Sequence, residues 1–138
     1  MLMKVLLATD GSDQSMKAVQ WTVDNLGDKA KVTLFAVAPF AQDLLAEMPP
    51  NIQQKLENEA KSSLDKAKAA FDAKNVAVET ALAVGMVPAN NIIDKAQDGG
   101  FDMIVMGSTG IGGLKRAMMG STASKVVSQT PCSVTIIR

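Results

Sequence analysis

The chain has 138 residues, 47% of them apolar and 20% charged, and fourteen basic side chains balance fourteen acidic ones. That is the size of one domain, 1–138, and the neutral total supplies no overall field toward nucleic acid or an anionic membrane. Zero histidines and a single cysteine remove the commonest general base, the Ser-His and Cys-His nucleophile pairs, an intrachain disulfide, and zinc sites of thiolate or imidazole type. Any metal must be hard and oxygen-bound, which points to Mg²⁺ carried in with phosphates. Cys132 alone suits a reducing compartment, so the cytoplasm is the expected location.

Lys4 to Thr9 reads as a buried first strand. Met1 to Ala8 lacks a basic n-region, a full h-region and a cleavage site, so it is not read as a signal peptide. Asp10-Gly11-Ser12-Asp13 offers two or three N-caps to a helix with Met16, Val19, Thr22, Val23 and Leu26 on one face, closed by Gly27. Lys31 to Ala38 is a second strand, and Pro39 to Pro50 a mixed connection. The longest helix spans about Asn51 to Lys74, with Ile52, Leu56, Ala60, Leu64, Ala67 and Phe71 inward and a solvated charged face opposite. Val76 to Val84 alternates like a strand. Pro88 opens a short helix with Ile92, Ile93 and Ala96 inward, and Gly99-Gly100 ends it.

The stretch from Asp102 to Ala123 carries the chemistry. Met103 to Met106 is a short apolar strand, followed by a loop with Gly107, Gly110, Gly112 and Gly113, then Gly120-Ser121-Thr122 and a helix through Val126 and Val127. Glycines that permit close approach, followed by a helix start, build an anion site from backbone N–H groups. The P-loop pattern fails because no Lys separates Gly120 from Ser121. The dinucleotide fingerprint fails because Lys115 stands where its third glycine belongs. The helix stops near Thr130-Pro131, and Ser133 to Ile137 is the last strand.

The order β-α-β-α-β-α-β-α-β predicts an α/β fold, an open twisted parallel five-stranded sheet with helices on both faces. Ligands bind outside the carboxyl ends of such strands, where the strand order reverses. For Thr9-Asp10-Gly11-Ser12 and the glycine loop to serve one site, strands one and four must be neighbours. That requires the order 3-2-1-4-5.

The spacing Gly107, Gly110, Gly120, Ser121 resembles the ATP-binding signature of the universal stress protein family. The likeness extends over nearly the whole chain, through Val-Leu-Leu-Ala-Thr-Asp-Gly-Ser at the start and Pro-Cys-Ser-Val-Thr-Ile-Ile-Arg at the end. The resemblance implies a Rossmann-like, adenine nucleotide alpha hydrolase-like fold, ATP with Mg²⁺ as ligand, and a cytoplasmic homodimer joined through the last strands. It implies that Gly107, Ser108, Thr109, Gly110, Gly112, Gly113, Gly120, Ser121 and Thr122 hold the triphosphate and ribose. Val37 would meet the adenine, and Ala8, Thr9 and Asp10 would form the opposite wall, with Asp10 near the ribose or the metal. Ala8 and Ser133 stand where family members often carry proline, which bears on adenine packing and on dimer geometry.

Each residue also has a plainer reading. Asp10 could cap the first helix or form an Asx-turn. Ser121 could serve as an N-cap, with or without a phosphate, and Lys115 and Arg116 could meet phosphate or only solvent. Cys132 could be a structural or a redox thiol, and Met106, Met118 and Met119 core filling or a partner surface. The leading functional reading is a nucleotide-dependent regulatory protein. The alternatives are a slow ATPase or phosphotransferase using Asp10 and Mg²⁺, and an interaction protein whose loop binds no nucleotide.

Overall fold

The computed structural model describes residues 2–40, 51–109 and 119–138. Apolar side chains run continuously along the central strands because both faces of the sheet are covered. In β1 (Met3–Ala8), Val5 and Leu7 point to one face and Leu6 and Ala8 to the other. Val5 and Leu7 join a core with α1 (Asp13–Asn25) and α2 (Ile52–Asp72), whose Ala18, Val19, Leu64 and Phe71 are buried there. Leu6 and Ala8 face α3 (Pro88–Asp98) and α4 (Ser121–Gln129) through Ile92, Ala96, Ala123 and Val126. A 3₁₀ turn (Gly27–Lys29) leads from α1 into β2 (Ala30–Ala38). With β3 (Glu79–Val84), β4 (Met103–Gly107) and β5 (Ser133–Ile137), all pairings are parallel and the order is β3-β2-β1-β4-β5, as expected. The chain order therefore reverses between β1 and β4, which pair through Val5–Met103, Leu6–Ile104 and Leu7–Val105.

Most element bounds match the sequence within one or two residues, but the third strand does not. Val76 to Val84 was the expected extent, and pairing begins only at Glu79. The reason lies at the end of α2. Asn75 takes a left-handed conformation (φ 57°), so its amide reaches Asp72 O and that of Val76 reaches Phe71 O, both at 3.0 Å. This closure spends the Val76 amide on the helix and turns its side chain into the core beside Phe71. Within β3 it is Ala81 and Ala83 that pack inward on the α3 side, while Leu82 and Val84 are 40% and 38% exposed. β3 is the outermost strand on its side of the sheet, so its side chains lack a neighbouring strand on one flank. Among the described residues, no helix is long and apolar enough to cross a membrane.

Candidate functional site

At the carboxyl ends of β1, β2 and β4 lies a cleft of about 730 Å³. The strand-end residues Ala8, Thr9, Asp10 and Val37 line it, together with Gly107, Ser108, Thr109, Gly120, Ser121 and Thr122. All of these were singled out from the sequence. Gly110, Gly112 and Gly113, with Lys115, Arg116 and Met118, lie outside the described residues.

The β1–α1 turn forms one wall. The Thr9 amide donates to Phe35 O at 2.9 Å, which carries the β1–β2 ladder one step beyond the strand. Asp10 Oδ1 accepts from the Ser12 amide at 3.0 Å, so the Asx-turn reading of Asp10 is realised. Ser12, rather than Asp10 or Asp13, is the N-cap, and its Oγ accepts from the Ser15 amide at 3.2 Å. Ser15 is buried and its hydroxyl lies 3.2 Å from Thr9 Oγ1. Gly11 is the one position here where a positive φ (81°) is required. Lys66 Nζ of α2 donates to Gly11 O at 3.2 Å, which ties that helix to the turn.

The opposite wall is the entry and exit of the glycine loop. The Gly120 amide donates to Ser108 O at 2.7 Å, closing the loop at its base. A side chain on Gly120 would meet Ser108 O at 3.2 Å and Thr109 Cα at 3.4 Å, so any other residue needs that backbone to give by a few tenths of an ångström. Gly120 is also the N-cap of α4, and Ser121 is the first helical residue. This corrects the N-cap reading of Ser121. A glycine cap offers no side-chain acceptor, so the first amides of α4, which belong to cleft-lining residues, have no intrahelical partner. Gly107 has a packing reason of its own, because a Cβ there would meet the backbone of Gln14 at 3.0–3.1 Å.

The cleft is divided by chemistry. Phe35, Val37, Pro39, Pro88, Ile92 and Met106 make an apolar end below β2 and α3. Hydroxyls of Thr9, Ser108, Thr109, Ser121 and Thr122 gather at the β1–β4 end with Asp10. Two carboxylates, Asp10 and Glu59, are the charged side chains among the described lining residues. No three His, Cys, Asp or Glu side chains converge among the described residues. A cation there would take its remaining oxygens from a ligand and water, as Mg²⁺ commonly does.

Sequence reasoning did not place α2 at the cleft, yet Leu56, Glu59 and Ser63 line it. Glu59 and Ser63 stand four apart on one helix face, but that face reads as solvated until the crossing of α2 over β2 is known. Ser15 had a local signal, since a hydroxyl three residues after an N-cap Ser faces back toward the same turn.

A model of the Universal stress protein family matches residues 1–138. Universal stress protein YxiE of Bacillus subtilis is 34% identical, with all of both chains aligned. The solved structure of hypothetical protein MJ0577 from Methanocaldococcus jannaschii superposes with a TM-score of 0.84 at 27% identity, covering 99% of this chain and 96% of that one. The universal stress protein from Archaeoglobus fulgidus, solved in complex with dAMP, shares the fold at 21% identity and a TM-score of 0.73, over 100% and 98% of the two chains.

Proposed function

The chain belongs to the universal stress protein family, and on that premise we propose that it is a nucleotide-dependent regulatory protein whose cleft takes MgATP. The observation that carries the reading is the convergence on one cleft of the strand ends Thr9-Asp10 and Val37 with Gly107–Thr109 and Gly120–Thr122. A fold relative holding dAMP supports an adenine nucleotide as the ligand class.

The two ends of the cleft suit the two ends of such a ligand. Adenine is flat and apolar on its faces, and Val37, Pro39, Ile92 and Met106 supply an apolar slot for it. Phosphates take backbone N–H groups and hydroxyls, and the glycine-capped start of α4 supplies both, with about half a positive charge from the helix. In this reading Mg²⁺ neutralises the phosphates, and the carboxylate and hydroxyl oxygens that line the cleft suit it. Asp10 faces the ribose or that ion. Gly110, Gly112 and Gly113 complete the phosphate cradle. β5 is the outer strand on its side of the sheet, and a second copy pairing there gives a homodimer. The protein acts in the cytoplasm, where the lone Cys132 stays reduced. Nucleotide held between Gly107 and Ser121 changes the surface offered to a partner.

The test is a thermal melt with and without MgATP, on the parent and on a Gly120→Val/Ser121→Val variant. Ligand at one hundred times its dissociation constant stabilises the native state by about 2.7 kcal/mol, on the order of 10 °C for this size. The expected result is a shift in the parent that is absent in the variant. A parent whose melt does not move with MgATP contradicts the reading.

A further inference from the structure

Gln14 stands in the first turn of α1, part-buried, and its side chain reaches two strands distant in sequence. Its Nε2 donates to Ile137 O at 3.0 Å and to Ser108 Oγ at 3.4 Å. A carbonyl oxygen can only accept, so the Ile137 contact fixes which end of the amide faces it. The second Nε2 hydrogen is then the one that reaches Ser108. The Ser108 amide donates to the same Ile137 oxygen at 3.0 Å. Gln14, Ser108 and Ile137 thus form a closed ring that joins the start of α1, the end of β4 and the end of β5.

Ser108 is 3% exposed and lines the cleft, and its carbonyl accepts the Gly120 amide that closes the loop. Its hydroxyl accepts from Gln14, and among the described residues nothing accepts the hydroxyl proton. A buried hydroxyl with an engaged lone pair and an unassigned proton is a donor awaiting an acceptor.

We propose that Gln14 is a positioning residue that holds the Ser108 hydroxyl as a donor into the cleft, for a phosphoryl oxygen of the bound nucleotide. The inference rests on the reading of the cleft as an adenine-nucleotide site and names the side chain that sets its phosphate end. Gln14 itself does not touch the nucleotide. It acts through Ser108 and links the phosphate end of the cleft to the end of β5.

The experiment titrates the full chain with MgATP and, separately, with adenosine, which has no phosphate. Gln14→Leu is expected to weaken MgATP by about tenfold, the loss of one well-placed hydrogen bond to a charged acceptor, and to leave adenosine unchanged. Gln14→Glu keeps the shape but accepts the Ser108 proton, so it weakens MgATP more than Gln14→Leu does. In a Ser108→Ala background Gln14→Leu adds no further loss, because both act through one hydroxyl. An equal loss for adenosine makes Gln14 merely structural and overturns the proposal. So does either Gln14 variant binding MgATP as tightly as the parent. A parent that binds neither compound overturns the nucleotide reading and this inference with it, whereas a parent that binds MgATP with insensitive Gln14 variants overturns this inference alone.

Discussion

Phe71→Ala is expected to lower stability by about 3–5 kcal/mol, a fall of roughly 10–15 °C in Tm for a chain of this size. Phe71 is 0% exposed and is among the largest fully buried side chains, packed with Val5, Leu34, Leu64 and Val76 between α2 and the sheet. Its carbonyl also accepts the amides of Lys74 and Val76, which turn the chain out of α2 toward β3. Removing the ring leaves a cavity that Val76 cannot fill, because its amide is held by the same turn. Calorimetry or a circular-dichroism melt reads the effect directly. A loss below about 1 kcal/mol would mean that the core closes around the smaller residue and that this junction does not anchor α2.

Gly107→Val is expected to damage packing and ligand response together. The first carbon added would stand 3.0 Å from Gln14 O and 3.1 Å from Gln14 C. These are backbone atoms in the first turn of a helix, so they cannot turn aside as a flexible side chain could. Relief requires α1 to move away from β4 or the end of β4 to move out of register, and overpacking of this kind costs about 1–3 kcal/mol. The same displacement carries Gln14 away from Ser108 and Ile137 and opens the base of the glycine loop. Stability and the melt shift with MgATP are therefore expected to fall together, as they do to a smaller degree for Gly120→Val, whose Cβ would meet Ser108 O at 3.2 Å. A Gly107→Val protein with an unchanged melt and an unchanged MgATP response would contradict the packing role assigned to Gly107.

Several of these features are legible in the residues, and the others fail for identifiable reasons. Continuous apolar strands alternating with amphipathic helices gave the parallel sheet. Loop chemistry gave the strand order, because Thr9-Asp10 and Gly107 can meet only if β1 and β4 are neighbours. Local capping was harder to read. Ser121 looks like an N-cap by type, but the chain enters α4 one residue earlier, where Gly120 must approach Ser108 closely. The start of β3 was misplaced because Val76 and Val78 continue an alternating pattern, although Asn75 has already committed the Val76 amide to α2. The part of the site that α2 supplies was not legible. Glu59 and Ser63 become cleft residues only through the crossing of α2 over the sheet, which no local pattern encodes. Gln14 was silent for the same reason, since its partners are Ser108 and Ile137, 94 and 123 residues away.

Whether the phosphates of an adenine nucleotide bind at the start of α4 and its base beside Val37 is read from backbone amide resonances followed during a MgATP titration. Saturable shifts are expected at Ser108, Gly120, Ser121 and Thr122 together with Val37, and none at the groove formed by Asp24, Asp28 and Lys74 at the other end of the strands. Shifts centred on that groove, or a spectrum that MgATP leaves unchanged, would contradict that placement.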